Sequence, residues 1–213
     1  MKTFRIKVCG ITHVDDALSA AELGADMIGM IFYRPSPRFL TVKKARAILQ
    51  SLPPTVRPVG VFVDESLERV ISLGTRLRLD FIQLHGNEPV GHVRALQKAG
   101  LGVIKAFHVR TQADYRRLYM SRADLVLIDN ASSELPGGTG RAFDWSVRPP
   151  RPISNLVLAG GLSARNVAEG VKRFKPLVVD VNSGVEDSPG VKSHIKMREF
   201  FKMCNRLRYE EKS

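Results

Sequence analysis

The run Arg5-Ile6-Lys7-Val8-Cys9-Gly10-Ile11-Thr12 reads as a short strand that stops on a glycine. Alternation puts Arg5, Lys7 and Cys9 on one face and Ile6 and Val8 on the other. Seven further short β-branched or apolar runs follow: Met27–Phe32, Pro58–Val63, Phe81–His85, Val103–His108, Leu125–Asp129, Leu156–Ala159 and Leu177–Val181. Most are nearly unbroken hydrophobic stretches, as expected of parallel strands covered on both faces.

Segments with helical periodicity fill the gaps. Val42, Ala45, Leu49 and Leu52 share a face, as do Val167, Val171 and Phe174, and Met197, Phe200, Phe201 and Cys204. Thr12 (with Asp15 three residues on), Thr41 and Ser163 are candidate helix starts. The proline-rich gap Arg141–Pro152 leaves room for only a stunted helix. Eight strands alternating with helices imply parallel βαβ units, and an open doubly wound sheet shares that pattern. Such a sheet would gather its functional residues at one switch point, whereas here they stand at strand ends from first to last. The expected fold is therefore α/β, a (β/α)8 TIM barrel in which residues 1–213 make one domain.

In a barrel the active site lies where strands end and loops begin. Those ends read Cys9-Gly10, Phe32 to Arg38, Gln83-Leu84-His85-Gly86, Asp129-Asn130, Gly137-Gly138-Thr139-Gly140, Gly160-Gly161 and Asp180 to Glu186. Glycines at Gly160-Gly161 and at Ser183-Gly184, after the last two strands, let backbone N–H groups approach a phosphate, the recurring anion site of this fold. Cys9 ends the first strand at the expected rim. With Ile6 and Val8 turned to the helices, Lys7 points into the barrel below it, and a cation there would help the thiol ionise near neutrality. Lys7 needs an interior partner, and Asp180 on the neighbouring last strand has the matching parity. Asp129 reads equally as a turn aspartate or as an acid facing Cys9 across the rim. Arg38 is a surface arginine or a two-pronged carboxylate ligand. His85 ends a strand with no assignable role.

The chain carries 33 Lys and Arg against 21 Asp and Glu, a net of +12, so its surface attracts anions. The basic residues are scattered over helix faces (Lys43, Lys44, Arg46, Arg76, Arg78, Arg116, Arg117, Lys172, Arg173) without interleaved aromatics, which argues against nucleic acid as partner. The histidines lack ligand spacing and the two cysteines stand apart, so no metal site is expected. No Gly-x-Gly-x-x-Gly follows the first strand, which argues against a nicotinamide cofactor. Without an apolar run of membrane length or a signal-peptide layout, no membrane partner and a cytoplasmic location are expected. A monomer and a homodimer fit equally well.

Several clusters together resemble one family, phosphoribosylanthranilate isomerase of tryptophan biosynthesis. They are Lys7 to Thr12, Gly24-Ala25-Asp26 with Ile28-Gly29, Phe32-Tyr33 leading to Ser36-Pro37-Arg38, Val59 to Phe62, and Gln83 to Gly86. Gly137 to Gly140 with Phe143-Asp144-Trp145, Leu158 to Leu162, Asp180 to Glu186 and Pro189-Gly190 complete the set. The resemblance implies an Amadori rearrangement of N-(5-phosphoribosyl)anthranilate without a cofactor. It further implies Asp129 as general acid, Cys9 as base, Arg38 on the anthranilate carboxylate, and Gly160, Gly161, Ser183 and Gly184 around the phosphate. Two positions depart from the family pattern: Asn182 stands at a common serine, and Ser193 follows Lys192 where an aspartate is usual. Related barrels, indole-glycerol-phosphate synthase and a dual-substrate isomerase, would use lysine and glutamate or paired aspartates. Cys9 before Gly10-Ile11-Thr12 speaks against both.

Overall fold

The computed structural model describes residues 4–129 and 147–210, the last two in backbone only. The elements run β1 (Arg5–Val8), α1 (Val14–Glu22), β2 (Met27–Ile31), α2 (Val42–Ser51), β3 (Arg57–Phe62), α3 (Leu67–Arg76), β4 (Phe81–Leu84) and α4 (Val90–Lys98). They continue with β5 (Gly102–His108), α5 (Asp114–Tyr119), β6 (Leu125–Asp129), β7 (Leu156–Leu158), α6 (Val167–Phe174) and β8 (Val178–Val181). A 3-10 turn (Ser183–Val185), β9 (Glu186–Ser188), β10 (Val191–Lys192) and α7 (His194–Glu210) end the described chain. Strands β1 to β8 form a closed parallel barrel in sequence order, β8 pairing with β1. The open doubly wound alternative is thereby excluded.

Two apolar cores result from strand alternation. Ile6 and Val8 of β1 face outward into the shell shared with the helices, where Met197, Phe200, Phe201 and Cys204 of α7 are at most 1% exposed. Each of the larger α7 side chains contributes about 2 kcal/mol by that burial. Met27, Val59, Ile104, Leu125, Leu127, Val157 and Val178 fill the barrel interior below the catalytic end. Arg208, near the end of α7, donates to the Phe4 carbonyl (3.1 Å) and to Asp26 (3.0 Å), tying the last helix to the first strand.

Thr41 caps α2 as expected, its hydroxyl accepting the Lys44 N–H. The other two helix starts need correction. Thr12 does not cap α1, which begins after His13; its hydroxyl donates instead to the Gly190 carbonyl. Ser163 opens a turn, and α6 starts only after Asn166. Asn130, Gly137 to Gly140, Phe143-Asp144-Trp145 and the first half of the proline-rich gap lie outside the described residues. Residues 147–152 contain neither helix nor strand. Sequence reading did not anticipate the hairpin of β9 and β10, which follows the rim and precedes α7. No described helix is long and apolar enough to cross a membrane.

Candidate active site

A cavity opens at the C-terminal end of the barrel, with about 780 Å³ of space between its atoms, some of it open to solvent. Cys9, Arg38, Gln83, His85, Asp129, Asp180 and Asn182 line it, with Gly160, Gly161 and Ser183. All the proposed site residues but one lie on this cavity. The exception, Gly184, lies on an adjoining groove together with Gly161, Ser163, Arg165, Asn166 and Ser183.

Cys9 is 5% exposed, and its thiol fits because the facing position on β2 is Gly29, where a Cβ would sit 2.7 Å from the sulfur. Lys7 and Asp180 are register partners across the β1–β8 seam, and Lys7 Nζ donates to Asp180 Oδ2 at 2.7 Å, so the expected interior pair exists. Burial draws the Lys7 ammonium down, yet Asp180 and Cys9 together outweigh it through charge and hydrogen bonds and hold it above its ordinary range. Lys7 pulls the Cys9 thiol toward ionisation, as expected, but does not bring it below its ordinary value. Burial pushes the thiol up, Asp180 adds to the push, and the opposing pull of Lys7 is the smaller effect.

Asp129 ends β6 on the far wall. Burial raises its carboxyl, but a hydrogen bond from His85 and the field of His85, His108 and Lys7 together take it below the ordinary range. His85 Nε2 lies 3.4 Å from Asp129 Oδ2, and His85 Nδ1 lies 2.9 Å from Gln83 Nε2. The ring bridges the two side chains, with Nε2 turned toward Asp129. His85, without a role in the sequence, thus orients the carboxylate. Gln83 Oε1 and Asp180 Oδ1 are buried without a partner among the described residues. Both side chains line the cavity, where a ligand hydroxyl would satisfy them.

Arg38 is not a surface arginine. It is 4% exposed, and its Nε and Nη2 donate to the Glu186 carboxylate at 2.9 and 2.6 Å. Lys192 Nζ reaches Glu186 Oε1 (2.8 Å), Asn182 Oδ1 (2.9 Å) and the Asn182 carbonyl (3.1 Å). Burial would raise Glu186, but Arg38 and Lys192 outweigh it and hold its carboxyl below the usual range. No sequence signal links Arg38 to a glutamate 148 residues away; only the hairpin brings them together.

Gly160 and Gly161 take left-handed φ of 84° and 65°, which the turn after β7 requires. A Cβ on Gly184 would run into the Leu162 carbonyl, so the loops after β7 and β8 pack backbone on backbone. Arg165 on the same groove is a further cation that sequence reading passed over; its signal was the position just beyond Gly160-Gly161-Leu162-Ser163.

The family model for N-(5'-phosphoribosyl)anthranilate isomerase matches residues 6–203. A relative from Thermotoga neapolitana with that name is 44% identical over 95% of this chain and 99% of its own length. The solved phosphoribosyl anthranilate isomerase of Thermotoga maritima superposes with a TM-score of 0.87 at 39% identity, covering 95% of this chain and 99% of that one. Another solved isomerase, in complex with reduced 1-(o-carboxyphenylamino)-1-deoxyribulose 5-phosphate, gives a TM-score of 0.82 at 36% identity over 95% and 99% of the two chains. Barrel, rim residues and full-length similarity agree, and the chain belongs to the N-(5'-phosphoribosyl)anthranilate isomerase family.

Proposed function

We propose that Asp129 is the general acid and Cys9 the general base of this isomerase, which converts N-(5'-phosphoribosyl)anthranilate to 1-(o-carboxyphenylamino)-1-deoxyribulose 5-phosphate. The observation that carries the reading is that Cys9 and Asp129 line one cavity at the barrel mouth. Asp129 gives a proton to the ribose ring oxygen, the furanose opens, and the nitrogen lone pair forms a Schiff base. Cys9 then takes the C2 proton, leaving an enolamine that tautomerises to the ketose. The rearrangement is redox-neutral overall.

Arg38 binds the anthranilate carboxylate, supported by its buried guanidinium on the cavity wall. Gly160, Gly161, Ser183 and Gly184 bind the phosphate, supported by the place of Gly160, Gly161 and Ser183 on the cavity and of Gly161, Ser183 and Gly184 on the groove beside it. Gln83 and Asp180 accept ribose hydroxyls through their unpartnered oxygens.

Turnover of phosphoribosylanthranilate generated in situ, followed by loss of anthranilate fluorescence, tests the assignment. Cys9→Ala and Asp129→Ala should each lower kcat by about 10²- to 10⁴-fold. Undiminished kcat in both variants refutes the roles, and an inactive wild type refutes the activity.

A further inference from the structure

We propose that Glu186 and Lys192 are positioning residues for the substrate carboxylate: Glu186 fixes the Arg38 guanidinium, and Lys192 fixes the Asn182 amide beside it, so that both donors meet one carboxylate. The inference rests on Arg38 binding that carboxylate.

The donors are neighbours. A Cβ built on Gly10 would lie 2.5 Å from Asn182 Oδ1 and 2.8 Å from Arg38 Cδ, so both side chains lie against the same glycine. Both also line the cavity; Glu186 stands beside Arg38 on the adjoining groove instead, and Lys192 lines neither. Glu186 takes the Nε hydrogen of Arg38 and one on Nη2, which leaves Nη1 and the rest of Nη2 for a ligand. The orientation of Asn182 is equally fixed. An ammonium only donates, so the atom 2.9 Å from Lys192 Nζ is the amide oxygen, and the amide nitrogen is left as a donor. It has no acceptor among the described residues.

Charge makes the same point independently. Lys192 faces three acceptors, within 3.1 Å, and satisfying all three takes the three N–H groups of an ammonium. Two cations, Arg38 and Lys192, therefore share the single carboxylate of Glu186, and all three residues are less than 8% exposed. A buried surplus of one positive charge is costly until an anion joins it. Substrate carboxylate is such an anion, and Asn182, in place of the family's usual serine, extends an additional N–H donor to it.

The test compares affinities for three ligands: the reduced product analogue, the same molecule lacking its carboxyl group, and inorganic phosphate. Wild type should prefer the carboxylated analogue by about 10- to 100-fold, the size of one buried charge-assisted contact. Arg38→Ala should abolish that preference; if it does not, the reading of Arg38 fails and this inference with it. Given that loss, Glu186→Gln, Lys192→Met and Asn182→Asp should each shrink the preference by roughly fivefold or more. A wild-type preference in Glu186→Gln and Asn182→Asp overturns the proposal, as does equal weakening of all three ligands. Should Lys192→Met fail to fold, Asn182→Asp decides, since it keeps an oxygen for Lys192 and exchanges the ligand's donor for an acceptor.

Discussion

Cys9 and Asp129 stand in the opposite protonation states to those their roles require. In the free enzyme burial keeps Cys9 a thiol, and His85 keeps Asp129 a carboxylate. The productive form, thiolate with carboxylic acid, is a minor species between the two titrations. Each step up in pH raises the thiolate fraction as much as it lowers the acid fraction, so their product is constant. The profile of kcat/KM, which reports the free enzyme, should accordingly be flat between an acid limb below the ordinary carboxyl value of 3.8 and an alkaline limb above the ordinary thiol value of 9.0. A limb of unit slope falling above pH 7 would mean that Cys9 ionises there instead. Sequence alternation located Lys7 correctly beneath Cys9. It had no measure of burial, and burial decided the sign of the shift. The same blindness made Arg38 look optional, since its anchor Glu186 belongs to a hairpin that periodicity does not register.

At the scale of elements, the β1–β8 seam is the most exacting contact. Lys7 is fully buried, and Asp180 is its carboxylate partner. Asp180→Ala strands a buried ammonium and should cost about 3–5 kcal/mol in urea unfolding, whereas Lys7→Met with Asp180→Leu should recover most of that loss. An equal cost in the double variant would show that the pair's geometry matters beyond charge balance. At the start of α2, Thr41→Ala removes the hydroxyl that accepts the Lys44 N–H and should cost about 1 kcal/mol by the same measurement. The strands were legible because fully covered parallel strands leave unbroken apolar runs, and all eight fall where those runs lie. Helix starts were less so. Thr12 has the chemistry of a cap, but its hydroxyl is drawn to the Gly190 carbonyl on another loop, and such competition leaves no local trace. The three-residue β9 and two-residue β10 are too short to show alternation.

For the whole molecule, the net charge of +12 makes acid the direction of weakness. The carboxyls of Glu186 and Glu88 lie below the ordinary value of 4.5; in each, burial opposes the shift and cationic hydrogen bonds, from Arg38 and Lys192 or from Lys105, overcome it. A lowered folded value favours the native state at pH above the ordinary value, and that contribution disappears as pH falls through the folded one. Protonation also adds positive charge to an already cationic surface. Urea midpoints should therefore hold steady from pH 7 to about 5 and drop steeply below about 4.5, and Glu186→Gln should flatten that drop. Midpoints that hold down to about pH 3 would remove both glutamates from the account. The closed ring also sets an order in time. Lys7 meets Asp180 173 residues along the chain, and Arg38 meets Glu186 148 residues away. Contacts so distant close late in folding. A chain emerging from the ribosome carries Cys9 long before it carries β8 or the hairpin of β9 and β10. Until those segments have been made, neither Lys7 nor Arg38 has its carboxylate, and the barrel mouth stays unassembled.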